Sequence, residues 1–284
     1  MSLPQRIPRA TTLVLSCGNI LNWGSLKRKV PKSSTEEIKF CLRQTLKNCV
    51  EKAGDTGCLQ GEVIQLSDPQ NAPSQHSEAR EDLKVTVKLM ITKSDEEEIT
   101  EAVDMVLKEL NLAKIDVLLL AISKRPNVIE DLTFEHYKPL WWELEREVSR
   151  GRIGALGICD ADKTMLEELY NWSRVKPIID QLNQETCCVI PPELNEYAKA
   201  NKTYVFASRI IPLISVCACF LSCHLLSTDV LPPEEFQSVL GEFFPGPDSE
   251  RWYPAWTLRF SVLIRCRGVI TTKGYTLKAL KDSD

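Results

Sequence analysis

The chain has 284 residues, of which 43% are hydrophobic and 26% are charged, a composition typical of soluble globular proteins. A net charge of −4 gives no reason to expect nucleic acid or an anionic membrane as a partner. There are eleven cysteines, but no CxxC pair occurs and the three histidines are far apart, which argues against a zinc site or a disulfide framework. We therefore expect a cytoplasmic protein whose thiols are largely reduced.

The first predicted elements are a strand, a loop and a helix. The apolar run Thr11–Cys17 is too short for a secretory signal. Thr11–Leu15 predicts a strand, and Cys17–Val30 is expected to form an ordered loop. Ser34 and Glu37 have the spacing of a capping box, which predicts the start of a helix. Apolar residues then recur at helical spacing and predict one buried face: Ile38, Cys41, Leu42, Leu46, Cys49 and Val50.

Short apolar runs alternate with helical patterns along the rest of the chain. The predicted strands are a weak one at Glu62–Leu66, then Leu83–Ile91, Ile115–Ile122, Ala155–Cys159, Ile178–Leu182, Tyr204–Ala207 and Gly268–Thr272. The predicted helices are one capped by Ser94 with Ile99, Val103, Val106, Leu107 and Leu110 buried, one from Pro139 that Gly151 ends, one opened by Asp160 or Asp162, and two at Pro192–Ala200 and Pro254–Ile264. Regular signals also occur at Pro232–Leu240.

These units amount to seven or eight strand–helix pairs. Their number and the chain length favour an α/β fold, a (β/α)8 barrel, in a single domain over residues 1–284. The other α/β architecture is an open doubly wound sheet, but its Gly-rich dinucleotide turn is missing. Gly154 and Gly157 flank the Ala155–Leu156 step without the GxGxxG spacing.

The segment Arg209–Leu226 does not fit this pattern, because Ile210–Cys223 carries no charge and three cysteines. It is shorter than the ~20 apolar residues of a membrane span. One interpretation is an insertion that packs poorly, such as translated non-coding sequence. The other interpretation is an interfacial or partner-binding hairpin.

Several blocks of the chain, in the right order, resemble a known superfamily. The segments GRIGALGICDADKTMLEELY (Gly151–Tyr170) and LRFSVLIRCRGVITTKGY (Leu258–Tyr275) resemble the aldo-keto reductases. Within that superfamily, CGNILNWGSLKRK, LKVTVKLMI, PLWWELE and QLN…CCVIPPEL resemble the regulatory (modifier, light-chain) subunits of glutamate–cysteine ligase. The resemblance implies a TIM barrel of the aldo-keto reductase type.

The same resemblance indicates a chain that has lost reductase chemistry. Aldo-keto reductases use a Tyr acid, supported by a Lys, an Asp and a His, to protonate a carbonyl while NADPH delivers hydride. The chain has no tyrosine before Tyr137, and Ala121 or Ile122 stands where the family histidine is expected. Lys88, in VTVKLM, stands at the place of the reductase lysine as a relic, or it is an ordinary structural lysine.

Two further features are candidate sites. Lys273, in ITTKGY, stands where reductases place a basic residue on the NADP 2′-phosphate, so it either supports residual NADP(H) binding or is a surface lysine. Cys187 and Cys188 follow a predicted strand and are either redox-responsive thiols that join a partner subunit or small half-buried hydrophobes. Cys266 is a poorer candidate for such a link, and Cys41 and Cys49 are expected in the core.

The resemblance implies a non-catalytic regulatory subunit that requires no cofactor. Its partner would be the glutamate–cysteine ligase catalytic subunit, in a heterodimer that has higher glutamate affinity and weaker glutathione inhibition in the first step of glutathione synthesis. Trp141 and Trp142 are a possible anchor, although helical spacing predicts that one of them faces the core. The alternatives are an NADPH-dependent aldo-keto oxidoreductase and a generic redox-sensing adaptor.

Overall fold

The computed structural model describes residues 10–24, 33–53, 61–67, 76–92, 95–123, 133–182, 190–207 and 231–282, without the side chains of 51–53 and 206–207. The strands in these ranges are β1 (Thr12–Ser16), β2 (Val63–Ser67), β3 (Leu83–Ile91), β4 (Ile115–Ile122), β5 (Ile153–Cys159), β6 (Pro177–Leu182), β7 (Tyr204–Ala207), β8 (Trp252–Ile264) and β9 (Val269–Lys281). The α-helices are α1 (Ser34–Ala53), α2 (Glu96–Leu110), α3 (Phe134–Ser149), α4 (Lys163–Trp172), α5 (Pro192–Ala200) and α6 (Pro233–Phe243).

The alternation of strands and helices up to α6 confirms the α/β class. The strands β3, β4 and β7 and the helix α5 have the predicted bounds, and the weak early strand is present as β2. The predicted buried stripe of α2 is confirmed as well, with every one of its five residues in the core. Local hydrophobic periodicity was sufficient for these elements because each buries one regular face.

The predicted helix Pro254–Ile264 is wrong, because these residues belong to β8 and form a long hairpin with β9. The segment has a period of two that separates two faces. Leu258, Phe260 and Val262 lie in one hydrophobic core, while the intervening Arg259 and Ser261 point to the opposite face. The last strand also continues beyond Thr272, because it pairs with β8 along its whole length.

The beginnings of several helices differ from prediction. The helix α3 begins before Pro139, at a cap where the Thr133 backbone N–H donates to Nδ1 of His136 over 3.1 Å. The helix α2 is capped by Asp95, whose carboxylate accepts from the Glu97 N–H, and the predicted cap Ser94 lies outside the described residues. Asp162 caps α4, as one of the two predicted alternatives.

The described strands form one sheet in the order β2-β1-β9-β8-β3-β4-β5-β6-β7. Neighbours from β3 to β7 are parallel, and β1 is parallel to β2. The hairpin β8–β9 is antiparallel to both β1 and β3, between which it lies. Three antiparallel steps therefore separate β1 from β3, so that β1 and β2 run opposite to β3–β7.

The two faces of this sheet carry different hydrophobic cores. The helices α2, α3 and α4 pack with β3–β5 and with alternate apolar residues of β8 in the first core. The helices α1 and α6 pack on the opposite face, against β1, β2 and β9. A small third cluster, on the same face as α1, continues across β3–β6 and includes Met90, Leu119 and Cys159. Lys88 and Lys273 lie on the face of the sheet that carries α1 and this third cluster.

None of the helices that the structure describes is both long and apolar enough to cross a bilayer. The apolar segment Arg209–Leu226 lies outside the described residues, so both interpretations of it stay predictions.

Candidate functional site

Lys88 lies on β3, on the face of the sheet that also carries α1. It is directly opposite Leu119 on β4 and Arg259 on β8, so its side chain shares a face with both. The residue is 4% exposed, and its ammonium group hydrogen-bonds the thiol of Cys159 at the end of β5. Lys88 is therefore a buried group near the carboxyl ends of the parallel strands, the edge at which barrel enzymes build their active sites.

Two groups near the carboxyl ends of β5 and β6 are poor acids, and of the two Cys159 shares a face of the sheet with Lys88 while Asp180 lies on the other face. Burial raises the pKa of the Cys159 thiol to about 12, although Lys88 lowers it. Asp180, on β6, is fully buried, and its Oδ1 accepts from the backbone N–H of Ala161 over 3.3 Å. Among the described residues no donor reaches its Oδ2. Burial first, and then the charges of Asp160 and Asp162, raise the pKa of this carboxyl well above its ordinary value.

The first tyrosine of the chain, Tyr137, lies on α3 near this edge. Burial first, and then the neighbouring Cys159, Asp160 and Asp180, raise the pKa of its hydroxyl to about 12. A tyrosine that acts as a general acid needs a nearby cation that lowers its pKa. Ala121 and Ile122 end β4, where the reductase resemblance would place a histidine. The arrangement at this edge therefore does not favour proton donation to a substrate carbonyl.

A second polar cluster joins α1 to the C-terminal hairpin, and we call it the hairpin cluster: Glu37, Arg259, Lys273 and Tyr275. The Glu37 Oε2 lies 2.7 Å from the Lys273 Nζ, and its Oε1 accepts from the Tyr275 hydroxyl over 2.5 Å. A guanidinium nitrogen of Arg259 lies 3.7 Å from the same Oε1, and the guanidinium carbon is 5.5 Å from the centre of the Tyr275 ring. One carboxylate thus connects three groups of the hairpin.

The hairpin cluster corrects the sequence prediction for Glu37. Ser33, rather than the predicted Ser34, caps α1, because its hydroxyl accepts from the Glu36 N–H over 3.1 Å. The Glu37 side chain is not part of a capping box and points to the hairpin instead. The sequence signal that could have revealed this contact is the polar alternation of Arg259, Lys273 and Tyr275 along apolar strands.

In the hairpin cluster, the pKa values of the acid Glu37 and of the base Lys273 are both lowered. Burial raises the pKa of the Glu37 carboxyl, but Lys273 and Arg259 outweigh it, so the pKa is lowered overall. The pKa of Lys273 is also lowered, by burial first and then by Arg259, despite the contact with Glu37. The positive charge of Arg259 lowers both pKa values, because it favours the ionised carboxylate and opposes the protonated amine. Burial also keeps the Tyr275 hydroxyl neutral, since it raises its pKa well above the ordinary value.

Comparisons with known proteins place the chain in a family. The model of the aldo/keto reductase family matches residues 61–211. Over 278 residues the chain is 35% identical to the glutamate–cysteine ligase regulatory subunit of Rattus norvegicus, covering 96% of this chain and 94% of that protein. The chain belongs to the aldo/keto reductase family. Within it, the regulatory subunit of Homo sapiens is also 35% identical, with the same coverage, and this confirms the predicted resemblance to the ligase regulatory subunits.

More distant family members match shorter parts of the chain. An NADPH-dependent codeinone reductase of Papaver somniferum is 24% identical over 161 residues, which covers 54% of this chain and 49% of that protein. An aldo-keto reductase structure from a deep-sea metagenome library is 18% identical, covers 60% of this chain and 61% of that one, and has a TM-score of 0.39. The fold class expected from the sequence agrees with the family membership.

The cysteines that the structure describes lie in three environments. Cys41 is buried on α1, as predicted, while Cys49 is half-buried and packs against the same core. Cys266 is exposed in the turn of the hairpin. Cys187 and Cys188 lie outside the described residues, so the prediction of an intersubunit thiol stays a prediction. No group of three or more His, Cys, Asp or Glu within the described ranges is arranged to hold a metal ion.

The two tryptophans of the KPLWWELE block point in opposite directions, as helical spacing predicts. Trp141 is fully buried, and its Nε1 donates to the Val175 carbonyl over 3.1 Å. Trp142 is 60% exposed on the same helix. Large exposed aromatic side chains are common anchors at protein interfaces, so Trp142 is the better candidate of the two for a partner contact.

Proposed function

We propose that this protein is a non-catalytic regulatory subunit of a glutamate–cysteine ligase. It binds the catalytic subunit as a heterodimer in the cytoplasm, raises the affinity of that subunit for glutamate and weakens its inhibition by glutathione. The observation that carries the proposal is the 35% identity to proteins named glutamate–cysteine ligase regulatory subunit over nearly their whole length. The regulation is a coupling free energy: one conformation of the catalytic subunit binds this protein more tightly than the other, and ~1–3 kcal/mol is enough for a five- to hundredfold change in affinity.

The geometry supports a role without chemistry of its own. Lys88, the counterpart of the reductase lysine, is buried against a thiol instead of a tyrosine. Tyr137 and Tyr275, which lie near the described polar clusters, both have raised pKa values. A reductase needs the opposite, a tyrosine whose proton is released readily. The reductase tetrad is therefore not retained in this proposal, and Lys88 is its relic.

The proposed subunit requires no cofactor. A phosphate bound at Lys273 would lie beside the Glu37 carboxylate, which is already 2.7 Å from the lysine ammonium. Two anions at one lysine repel each other, so the residues present do not fit the 2′-phosphate of NADP(H). The alternative function, an NADPH-dependent oxidoreductase, would be supported by aldehyde-dependent consumption of NADPH by the purified protein.

Co-purification with the catalytic subunit tests the proposed function directly. We expect the two proteins to elute together, and the complex to reach half-maximal activity at a lower glutamate concentration than the catalytic subunit alone. The measurements are size-exclusion chromatography and initial rates over a glutamate series with and without glutathione. A catalytic subunit that neither binds this protein nor changes its glutamate dependence would contradict the proposal.

Replacing Trp142 is expected to weaken the heterodimer. The Trp142→Ala variant removes an exposed aromatic side chain and should raise the dissociation constant tenfold or more, as for a typical interface anchor (~1.4–2 kcal/mol). Its melting temperature should stay close to that of the wild type, because the side chain is 60% exposed. Tyr204→Ala is a matched control, since Tyr204 is equally exposed and lies on another element, β7. Equal affinities of both variants and the wild type would exclude Trp142 from the interface.

The predicted redox link depends on Cys187 and Cys188. If these thiols join the catalytic subunit, the double substitution Cys187→Ser and Cys188→Ser should abolish the intersubunit disulfide on non-reducing gels after mild oxidation. Cys266→Ser is the control, because it removes an exposed thiol of the hairpin turn. A disulfide that persists in the double variant and disappears in the control would assign the link to Cys266 instead.

A further inference from the structure

The hairpin cluster has the composition of an anion-binding site. The Lys273 ammonium and the Tyr275 hydroxyl contact the two oxygens of one carboxylate, and the Arg259 guanidinium lies 3.7 Å from it. An ammonium, a guanidinium and a hydroxyl that converge on one point are the donors with which proteins bind phosphate and sulfate. Here the anion that they bind is a side chain of the same protein, Glu37, carried by α1.

The cluster is buried on one side and accessible to solvent on the other. The side chains of Arg259 and Tyr275 are almost completely buried within the β8–β9 hairpin. The side chains of Glu37 and Lys273 are each 16% exposed, so the carboxylate lies at the outer end of the site. The loop after β1 also holds Lys273 in place, because the backbone N–H of Lys273 donates to the Asn19 Oδ1 over 3.2 Å. A small anion could therefore reach Lys273 from solvent if the carboxylate were absent.

The direction of the pKa shifts agrees with a site that attracts anions. Arg259 lowers the pKa of the Glu37 carboxyl and of the Lys273 ammonium alike. A positive potential favours the ionised carboxylate and opposes the protonated amine, so it lowers both values. The same potential would favour any other anion in the position of the carboxylate.

We infer that Arg259, Lys273 and Tyr275 form an oxyanion-binding site of the phosphate class, and that Glu37 occupies it as an internal ligand. The bound carboxylate joins α1 to the C-terminal hairpin and closes the site to external anions. The inference concerns the free protein and holds whether or not the catalytic subunit is the partner. It also gives a physical reason why a lysine in the position of a nucleotide-phosphate residue would not bind a nucleotide.

Removal of the carboxylate should open the site. The Glu37→Ala variant leaves the cations in place and creates room for an anion, so inorganic phosphate should stabilise it. With phosphate at ten times its dissociation constant, the folding equilibrium should shift about tenfold towards the folded state. The measurement is the melting temperature over a phosphate series, beside a sodium chloride series of equal ionic strength. The wild type should respond to phosphate no more than it responds to sodium chloride.

Two further variants keep the test decisive. Glu36→Ala is the matched control, because it removes the same charge from the preceding, exposed position of the same helical turn. Glu37→Gln removes the charge while it keeps the side-chain volume, so it should fold even if the alanine variant does not, and should gain a smaller response to phosphate. Parallel titrations with NADP⁺ and NAD⁺ distinguish free phosphate from a nucleotide 2′-phosphate, since NADP⁺ alone carries that group.

The inference would be overturned by either of two results. One is a wild type that phosphate stabilises as much as the Glu37 variants. The other is a pair of Glu37 variants whose response to phosphate does not exceed that of Glu36→Ala. If NADP⁺ stabilises Glu37→Ala more than phosphate does, the site is open to a nucleotide phosphate once the carboxylate is gone, which supports the inference as well.

Discussion

Replacing Gly274 by alanine should strongly destabilise the protein, although the substitution adds only one methyl group. The added Cβ would lie 2.2 Å from the backbone carbonyl oxygen of Gly18 and 2.5 Å from the ring of Phe260. Both neighbours are fixed, one as backbone and the other as a buried ring opposite Gly274 on β8. Overlap of this kind forces the backbone to move and costs on the order of 3 kcal/mol or more.

The measurement is chemical denaturation of Gly274→Ala beside the wild type. Gly241→Ala is the matched control, because its new Cβ would meet Ser249 Oγ at an ordinary 3.6 Å. It should be neutral or slightly stabilising, since alanine favours the helix α6 by up to ~1 kcal/mol over glycine. Equal stability of Gly274→Ala and the wild type would show that β9 does not approach the loop after β1 so closely.

The loss at Gly274 should extend to the hairpin cluster. Gly274 lies between Lys273 and Tyr275 in sequence, so a backbone shift at this position moves both partners of Glu37. A typical domain has only about 5–15 kcal/mol of stability, and the expected loss is a large fraction of that. The variant should therefore also bind the proposed catalytic subunit poorly at physiological temperature.

Replacing Asp180 by asparagine should have the opposite effect and stabilise the protein at neutral pH. The carboxyl is fully buried, and burial raises its pKa well above the ordinary value. Asparagine keeps an oxygen that can accept from the Ala161 N–H and never ionises. The variant should be the more stable protein at neutral pH, by about 1.4 kcal/mol for each unit by which the pKa of the carboxyl is raised.

The stabilisation by Asp180→Asn should depend on pH in a defined direction. Below the ordinary aspartate pKa of about 3.9 both the folded and the unfolded wild type are protonated at this carboxyl, so it carries no ionisation penalty. As pH rises above that value, the unfolded chain releases the proton while the folded protein retains it, and the wild type loses stability. The difference between variant and wild type should therefore grow from pH 4 to pH 7.

Denaturation at several pH values measures this difference. Asp162→Asn is the control, because Asp162 is an exposed helix cap and asparagine caps a helix equally well. It should change stability by less than ~0.5 kcal/mol, with little dependence on pH. A constant difference between Asp180→Asn and the wild type from pH 4 to pH 7 would show that Asp180 keeps an ordinary pKa.

The elements of the fold that the sequence predicted correctly are those with a regular apolar period. The strands β3 and β4 and the buried stripe of α2 follow from such periods, because a buried face must repeat with the geometry of its element. The hairpin β8–β9 was missed in part because its first strand carries large side chains at both strand and helix spacing. The alternation of polar and apolar residues in Thr257–Val262 was the better indication of a strand.

The polar sites were less predictable than the strands. Lys88 was placed on a strand correctly, but its contact with Cys159 joins two strands that are far apart in sequence. Likewise, Ser34 and Glu37 fit a capping box, which is a local pattern that the neighbouring Ser33 satisfies instead. A local motif shows which residues can cap a helix. Which of two adjacent serines forms the cap depends on the residue at which the helix begins.

The sequence by itself determined the α/β class, the resemblance to the ligase regulatory subunits and the absence of a tyrosine before Tyr137. These are properties of residue order and periodicity, and they need no knowledge of contacts. The tertiary structure decided the role of Lys273, because its partner Glu37 is 236 positions away in the chain. The two residues meet because the hairpin pairs with β1. That pairing is stabilised by contacts throughout the sheet, so no local sequence pattern reveals it.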